Sequence, residues 1–295
     1  VLYMPGANAR ALDKARDIEC DALIFVVEDA VAVDAKAAAR DQVLAALGQG
    51  GYGHREKVVR VNGLDTQWGA ADVQAFAGSA IDALLFPKVE SPAQVAEIVG
   101  HVDAAGGGEL PLWIMVETPL GLLDVRSIVE SCQRIRCLVM GTSDLVKELR
   151  AQHTVSRSNL DYALQHCVMV ARTLGLDVLD GVHLDFRNAE TFRLSCEHAR
   201  AMGFDGKTLI HPSQVALANE VFGYGDEAVA HARAVIAVWQ QAQAAGKGVA
   251  VLDGALVENL HVAEAQRVLA FAEALGARPS TVSAAARIFG RISVR

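Results

Sequence analysis

The stretch LWIMVETPLG at 112–121, followed by CLVMGTSDL at 137–145, decides the fold. In each, a short apolar run gives way to a polar tip that carries one acid and one glycine: Glu117 with Gly121, then Asp144 with Gly141. An apolar run without polar alternation, closed by such a tip, reads as a parallel strand buried on both faces. Parallel α/β sheets build their sites at the carboxyl ends of their strands. Two acids at two such ends offer hard oxygen ligands to one divalent cation.

Working outward, the same unit recurs along the chain. Apolar runs at 2–4, 22–27, 58–61, 83–86, 112–116, 137–140, 178–179 with Val182, and 208–210 give eight candidate strands. Alanine-rich segments of helical spacing lie between them, for example 9–18, 35–47, 91–102 and 160–174; their period is that of amphipathic helices. Right-handed crossovers turn this alternation into a parallel sheet, and eight repeats suffice to close an α/β fold of the (β/α)8 TIM barrel type. The predicted organisation is a barrel over 1–222, a C-terminal helical extension over 223–276 that reaches a neighbouring subunit, and a basic tail over 277–295. Within the extension, helical patterns at 226–245 and 258–275 flank a turn at 245–254 whose Gly246, Gly248 and Gly254 make a flexible joint. The tail holds Arg278, Arg287, Arg291 and Arg295 and no acid, and reads as a loosely held or interface segment.

Composition narrows the function. With 295 residues, 52% of them hydrophobic, the chain can bury one large core. A formal net charge of −8 argues against nucleic acid as partner, and no apolar run is long enough to span a membrane. The five cysteines, Cys20, Cys132, Cys137, Cys167 and Cys196, show no metal or redox spacing and read as reduced thiols of a cytoplasmic protein. No signal peptide is visible, although Val1 is not an initiator methionine.

Polar residues gather at the predicted strand ends: Glu28 and Asp29 after the second, Arg60 and Asn62 after the third, Lys88 after the fourth, Glu117, Asp144, Asp180 and His211 after the fifth to eighth. In a barrel these ends converge on one face. Singly, each has an ordinary reading: Glu28 or Asp29 as a helix N-cap, Asp144 as a cap in T-S-D, Arg60 as the partner of Glu28. Lys88 reads as an ion-pair partner near the rim. His211, before a proline that starts a helix, reads as a structural tie to a neighbouring loop.

LYMPGANARALDKA (2–15), EDAV (28–31), VRVNGLDT (59–66), FPKVE (86–90), VETPLG (116–121), MGTSDL (140–145), GFDGKTLIHPSQV (203–215) and GALVENLHVAEA (254–265) occur in this order. Together they resemble the citrate lyase beta-subunit-like (CitE-like) CoA ester lyases of the HpcH/HpaI aldolase superfamily, from residue 2 to about 275. The resemblance implies a Mg²⁺-dependent carbon–carbon lyase that cleaves a 3-hydroxyacyl-CoA thioester, such as citryl-, malyl- or citramalyl-CoA, into a 2-keto acid and an acyl-CoA. It implies Glu117 and Asp144 as Mg²⁺ ligands completed by substrate oxygens, Arg60 at the reacting carbonyl, and Glu28 and Asp29 as acids that orient metal-bound water. Lys14, Gly141 and Thr142 match positions that contact substrate or CoA. Glu258 stands where the family carries an aspartate that enters the neighbouring subunit's site, in a homotrimer or hexamer. No lysine Schiff base is needed, so Lys88 and Lys207 are not assigned as nucleophiles.

The chain departs from this pattern at three places. Glu258 is one methylene longer than aspartate, which moves its carboxylate by about 1.5 Å. Val26 replaces a common aspartate, and Pro119 a common alanine. Two other readings therefore stay open: a class II pyruvate aldolase on free 2-keto acids, and a non-catalytic acyl-CoA- and metal-binding homologue.

Overall fold

The computed structural model describes residues 1–276; the basic tail expected at 277–295 lies outside the described residues. Eight strands, β1 (Leu2–Pro5), β2 (Ala22–Val26), β3 (Glu56–Arg60), β4 (Ala83–Phe86), β5 (Leu112–Val116), β6 (Ile135–Met140), β7 (Asp177–Asp180) and β8 (Gly206–Lys207), lie side by side in chain order. All neighbours are parallel. Leu209 closes the ring against β1: it pairs with Leu2, accepts from the Tyr3 N–H at 2.9 Å, and donates to the Val1 carbonyl at 2.8 Å. The fold is the expected α/β barrel. The eighth strand pairs with β7 from 206–207, earlier than the expected 208–210, and still reaches β1 at Leu209; beyond Leu209 the N–H groups of Ile210 and His211 both donate to the Gln214 side chain, at 3.0 and 3.1 Å, and leave the sheet.

Both faces of the strands are apolar, which explains the unbroken runs in the sequence. Ala22, Ile24, Val26, Val58, Leu85, Trp113, Met115, Cys137, Val139 and Leu179 fill the barrel, with Tyr3 against them. Their neighbours Leu23, Phe25, Val59, Val61, Leu84, Ile114, Val116, Leu138 and Val178 face the helix layer. Side chains alternate along a strand, so two steps beyond an inward residue is inward again. That parity aims Glu28, Arg60 and Glu117 into the barrel mouth, following Val26, Val58 and Met115. Asp180 follows the inward Leu179 and is turned outward.

The helices start where their caps predict. Asn8 caps Ala9–Lys14 by accepting from Ala11 N–H, and Ser91 caps Pro92–Ala104 with proline in the first turn. Thr118 caps Pro119–Leu123, accepting from Gly121 N–H at 3.1 Å. Pro119 therefore sits where its missing N–H costs nothing.

A second compact unit begins at Gly223. It holds the helices Asp226–Ala244 and Asn259–Gly276 and a small core of Val235, Trp239, Val257, Val262 and Val268. The expected loose joint at 245–254 instead supplies the first strand and the turn of an antiparallel hairpin, β9 (Ala250–Leu252) with β10 (Ala255–Val257). Asp253 and Gly254 turn it, both with positive φ, 50° and 83°; a two-residue Asp-Gly loop with this sign matches the twist of its strands. Among the described residues no helix is long and apolar enough to cross a membrane, and the five cysteines are all free.

Candidate active site

Arg60, the last residue of β3, is the hub of the barrel mouth. Its guanidinium pairs with the Glu28 carboxylate, and Nη2 lies 3.0 Å from Asp29 Oδ2. The Asp29 N–H donates to Glu28 Oε2 at 2.8 Å, so the two acids brace each other. Burial lifts Glu28 above the usual carboxylate range; burial acts the same way on Asp29 but is outweighed by the hydrogen bond with Glu28 and by the Arg60 and Lys88 charges, which hold it low. The Tyr3 ring centre lies 5.8 Å from the Arg60 guanidinium carbon. Arg60 Nε is buried and has no partner. A locked cation thus keeps one donor free, a costly arrangement unless a ligand accepts from it.

Glu117 lies beyond β5 and is only 2% exposed. Its Oε1 accepts from the Lys88 N–H at 3.0 Å. Burial is the main cause of a Glu117 carboxyl pushed up to about 7; Arg60 opposes it and Asp144 adds to it. Asp144 stands inside the first turn of Thr142–Glu148, whose N-cap position is Gly141. Asp144 is therefore not the cap, and among the described residues its carboxylate makes no hydrogen bond or ion pair into that turn. The Lys88 ammonium, nearly half exposed, is 3.8 Å from Glu28 Oε1. Burial alone would lower its pKa, but Glu117, Asp29, Glu28 and Asp144 around it hold it above its ordinary value.

This donor set fits a hard dication. The Asp144 charge adds to the cost of ionising Glu117, a cost that a cation beside Glu117 removes. Among the described residues no three His, Cys, Asp or Glu side chains are grouped to bind a metal. Two carboxylates with the remaining positions open suit Mg²⁺, which keeps water or substrate oxygens, better than a closed zinc centre.

The other predicted positions divide. Thr142 is buried beside Gly181, where an added Cβ would fall 2.3 Å from Thr142 Oγ1. Lys14, exposed in the last turn of its helix, lines a cleft of about 510 Å³ with Tyr3, Pro5, Ala11, Ile210 and Pro212. Tyr3 joins this cleft to Arg60. It was not among the expected site residues; the outward Leu2 and Met4 on either side are the signal that marks it as inward. Burial pushes its phenol up to about 12, so it stays protonated.

Asp180 and Asn62 are strand-end residues that the structure places outside the mouth. Asp180 is fully buried in the helix layer, paired with Lys207 and with Arg157, whose Nη1 is 2.7 Å away. Asn62 donates to the Val27 carbonyl at 3.0 Å and to Asp72 at 2.6 Å, and accepts from Lys36 at 2.7 Å. His211 has a structural setting: Nδ1 is 2.7 Å from Ser213 Oγ and its ring stacks on Phe186 at 4.5 Å, tying the end of the sheet to the preceding loop. Val26 is an inward residue of the apolar interior, one inward step below Glu28. Glu258 belongs to the second unit and is exposed; its carbonyl accepts from the N–H groups of His261 and Val262, and its N–H donates to His261 Nδ1 at 3.0 Å.

The chain is similar to known proteins over most of its length. A (3S)-malyl-CoA thioesterase of Cereibacter sphaeroides is 46% identical over 277 residues, 94% of this chain and 95% of that protein. The citrate lyase subunit beta of Escherichia coli K12 is 32% identical over 284 residues, 94% of each. CitE from Mycobacterium tuberculosis, solved with magnesium, acetoacetate and coenzyme A, superposes with a TM-score of 0.73 at 27% identity, covering 91% of this chain and 95% of that one. Residues 1–212 match the family described as HpcH/HpaI aldolase/citrate lyase. With the family match and the identity to these relatives in agreement, this chain belongs to the HpcH/HpaI aldolase/citrate lyase family.

Proposed function

We propose that this chain is a Mg²⁺-assisted enzyme acting on the CoA thioester of a small hydroxy acid of the malyl type. The observation that carries the reading is Arg60, fixed by two acids yet holding a buried, unpartnered Nε, with a guanidinium whose charge acts on the Glu117 carboxylate. Hydrolysis of the thioester has the stronger support, from the 46% identity to a malyl-CoA thioesterase. Carbon–carbon cleavage is the second reading, supported by the likeness to citrate lyase subunit beta.

Both reactions build negative charge on an oxygen. In hydrolysis it forms on the thioester oxygen as water adds, after which the C–S bond breaks and CoA leaves as the thiol. In cleavage the hydroxyl proton is lost, the C2–C3 bond breaks, and the thioester holds the electron pair as an enolate until carbon is reprotonated. Arg60 Nε–H is the donor for that oxygen, and its orientation is prepaid by Glu28 and Asp29. Glu117 and Asp144 hold the Mg²⁺, which when bound supplies Lewis-acid polarisation of substrate oxygens. Tyr3, Lys14 and the apolar cleft between them receive the CoA arm, with Gly141 and Thr142 at the acid end. Glu258, reaching from a neighbouring subunit of a homotrimer or hexamer, moves the proton to or from water or carbon.

One assay separates the outcomes. Malyl-, citramalyl- and citryl-CoA are incubated with the protein and Mg²⁺, and free thiol and keto acid are measured independently. Thiol without keto acid is the expected result with malyl-CoA. Keto acid with acyl-CoA would establish the lyase instead, and no turnover of any substrate would refute both.

A further inference from the structure

The sequence draws attention to the Lys88 ammonium, but the unusual feature of this residue is its backbone. Lys88 has φ of 49°, in the left-handed region that a non-glycine residue enters at a cost. In that conformation its N–H reaches Glu117 Oε1 at 3.0 Å. The turn is held from the far side as well: a Cβ on Gly121 would fall 2.6 Å from the Val89 carbonyl oxygen, so only glycine lets the helix after Glu117 approach it. On the opposite flank of Glu117 lies Gly141. A Cβ there would fall 2.4 Å from Glu117 Cβ and 2.6 Å from its Oε2. The Glu117 side chain is therefore seated between two pieces of main chain from the turns after β4 and β6.

The geometry points to Lys88 as a positioning residue that acts through its main chain, and to Gly141 as the other wall of the seat, the two together presenting the Glu117 carboxylate to its cation. The Lys88 side chain is dispensable for this. Side chains hold Arg60, whereas main chain holds Glu117, and main chain does not relax by changing rotamer. The strain at residue 88 keeps the N–H on the acid without a second charged partner, which would compete with the metal. This rests on Glu117 being a metal ligand, and the test separates the two ideas.

Mn²⁺ alone is titrated into the full-length protein by calorimetry, without substrate, alongside thermal unfolding of each variant. Glu117→Gln should abolish tight binding. Lys88→Gly keeps the N–H, suits the positive φ, and removes a competing cation, so its affinity should equal or exceed that of the parent. Gly141→Ala and Gly121→Ala should each weaken binding about tenfold or more, the usual cost of disturbing what orients a ligand, while still unfolding cooperatively. If either fails to fold, the other serves. A Lys88→Gly variant that binds tenfold more weakly would overturn the inference, as would folded glycine variants that bind like the parent. If Glu117→Gln leaves binding intact, the metal assignment falls and the inference with it.

Discussion

Glu117 shows how one residue can be unfavourable for the fold and useful to the site. Its carboxyl lies at about 7 in the folded chain against an ordinary 4.5, chiefly through burial, so the folded, metal-free protein holds that proton more tightly than the unfolded chain does. Stability from this group is complete below about pH 4.5 and is lost as pH rises through about 7. Glu117→Gln stays neutral throughout. In EDTA its stability should match that of the parent near pH 4.5 and exceed it by a growing margin toward pH 8, reaching on the order of 3 kcal/mol; a gap in melting behaviour independent of pH would contradict the burial account. The sequence made Glu117, Asp144, Arg60, Glu28 and Asp29 visible because each acid or base interrupts an apolar run. It did not show which way each one points. Asp180 looked equivalent to Glu117, yet it lies one step from an inward residue rather than two, and it ends in an ion pair outside the barrel.

At the scale of elements, the turn after β3 carries two jobs on one strand end. Arg60 serves the mouth, while Asn62 ties the helix layer to the turn that bears Glu28. Arg40 donates to Asp72 at 2.7 Å, Asn62 donates to Asp72 and to the Val27 carbonyl, and Lys36 bridges Asn62 to the Glu28 carbonyl at 3.0 Å. Asn62→Ala would leave several buried partners unsatisfied, each costing about 1–3 kcal/mol. We expect it to lower the urea midpoint by the equivalent of roughly 3 kcal/mol with an unchanged slope, and to reduce kcat through the loosened Glu28–Arg60 pair. Unchanged stability would show that water replaces the amide. Elements of this kind were legible only in part. Caps and apolar runs located the helices and strands, but a side chain such as Gln214, which takes two N–H groups out of the eighth strand, acts through its fold neighbours and leaves no periodic trace. The β9–β10 hairpin was missed for the opposite reason: its glycines suggested slack where Asp253 and Gly254 make a tight turn.

For the whole molecule, alternation of strand and helix was enough to reach the barrel, since each repeat buries both strand faces and only ring closure leaves no open edge. On the proposed function, which chain supplies the proton-moving acid is a question of assembly. If Glu258 serves a neighbouring barrel, mixing inactive Glu258→Ala and Arg60→Lys chains under exchange conditions should restore about a quarter of parental activity, the share of sites that combine two intact halves; no recovery would assign Glu258 to its own barrel or to none. The mouth also carries a charge imbalance. Glu28, Asp29, Glu117 and Asp144 surround Lys88, and Arg60 is the second cation, so four acids against two bases leave a formal excess of two negative charges. On the proposed function a CoA thioester, itself a polyanion, would meet that excess as repulsion across a low-dielectric mouth, and one dication would cancel it. The order of arrival would then follow from the electrostatics: metal first, thioester second, and a product that leaves before the ion does.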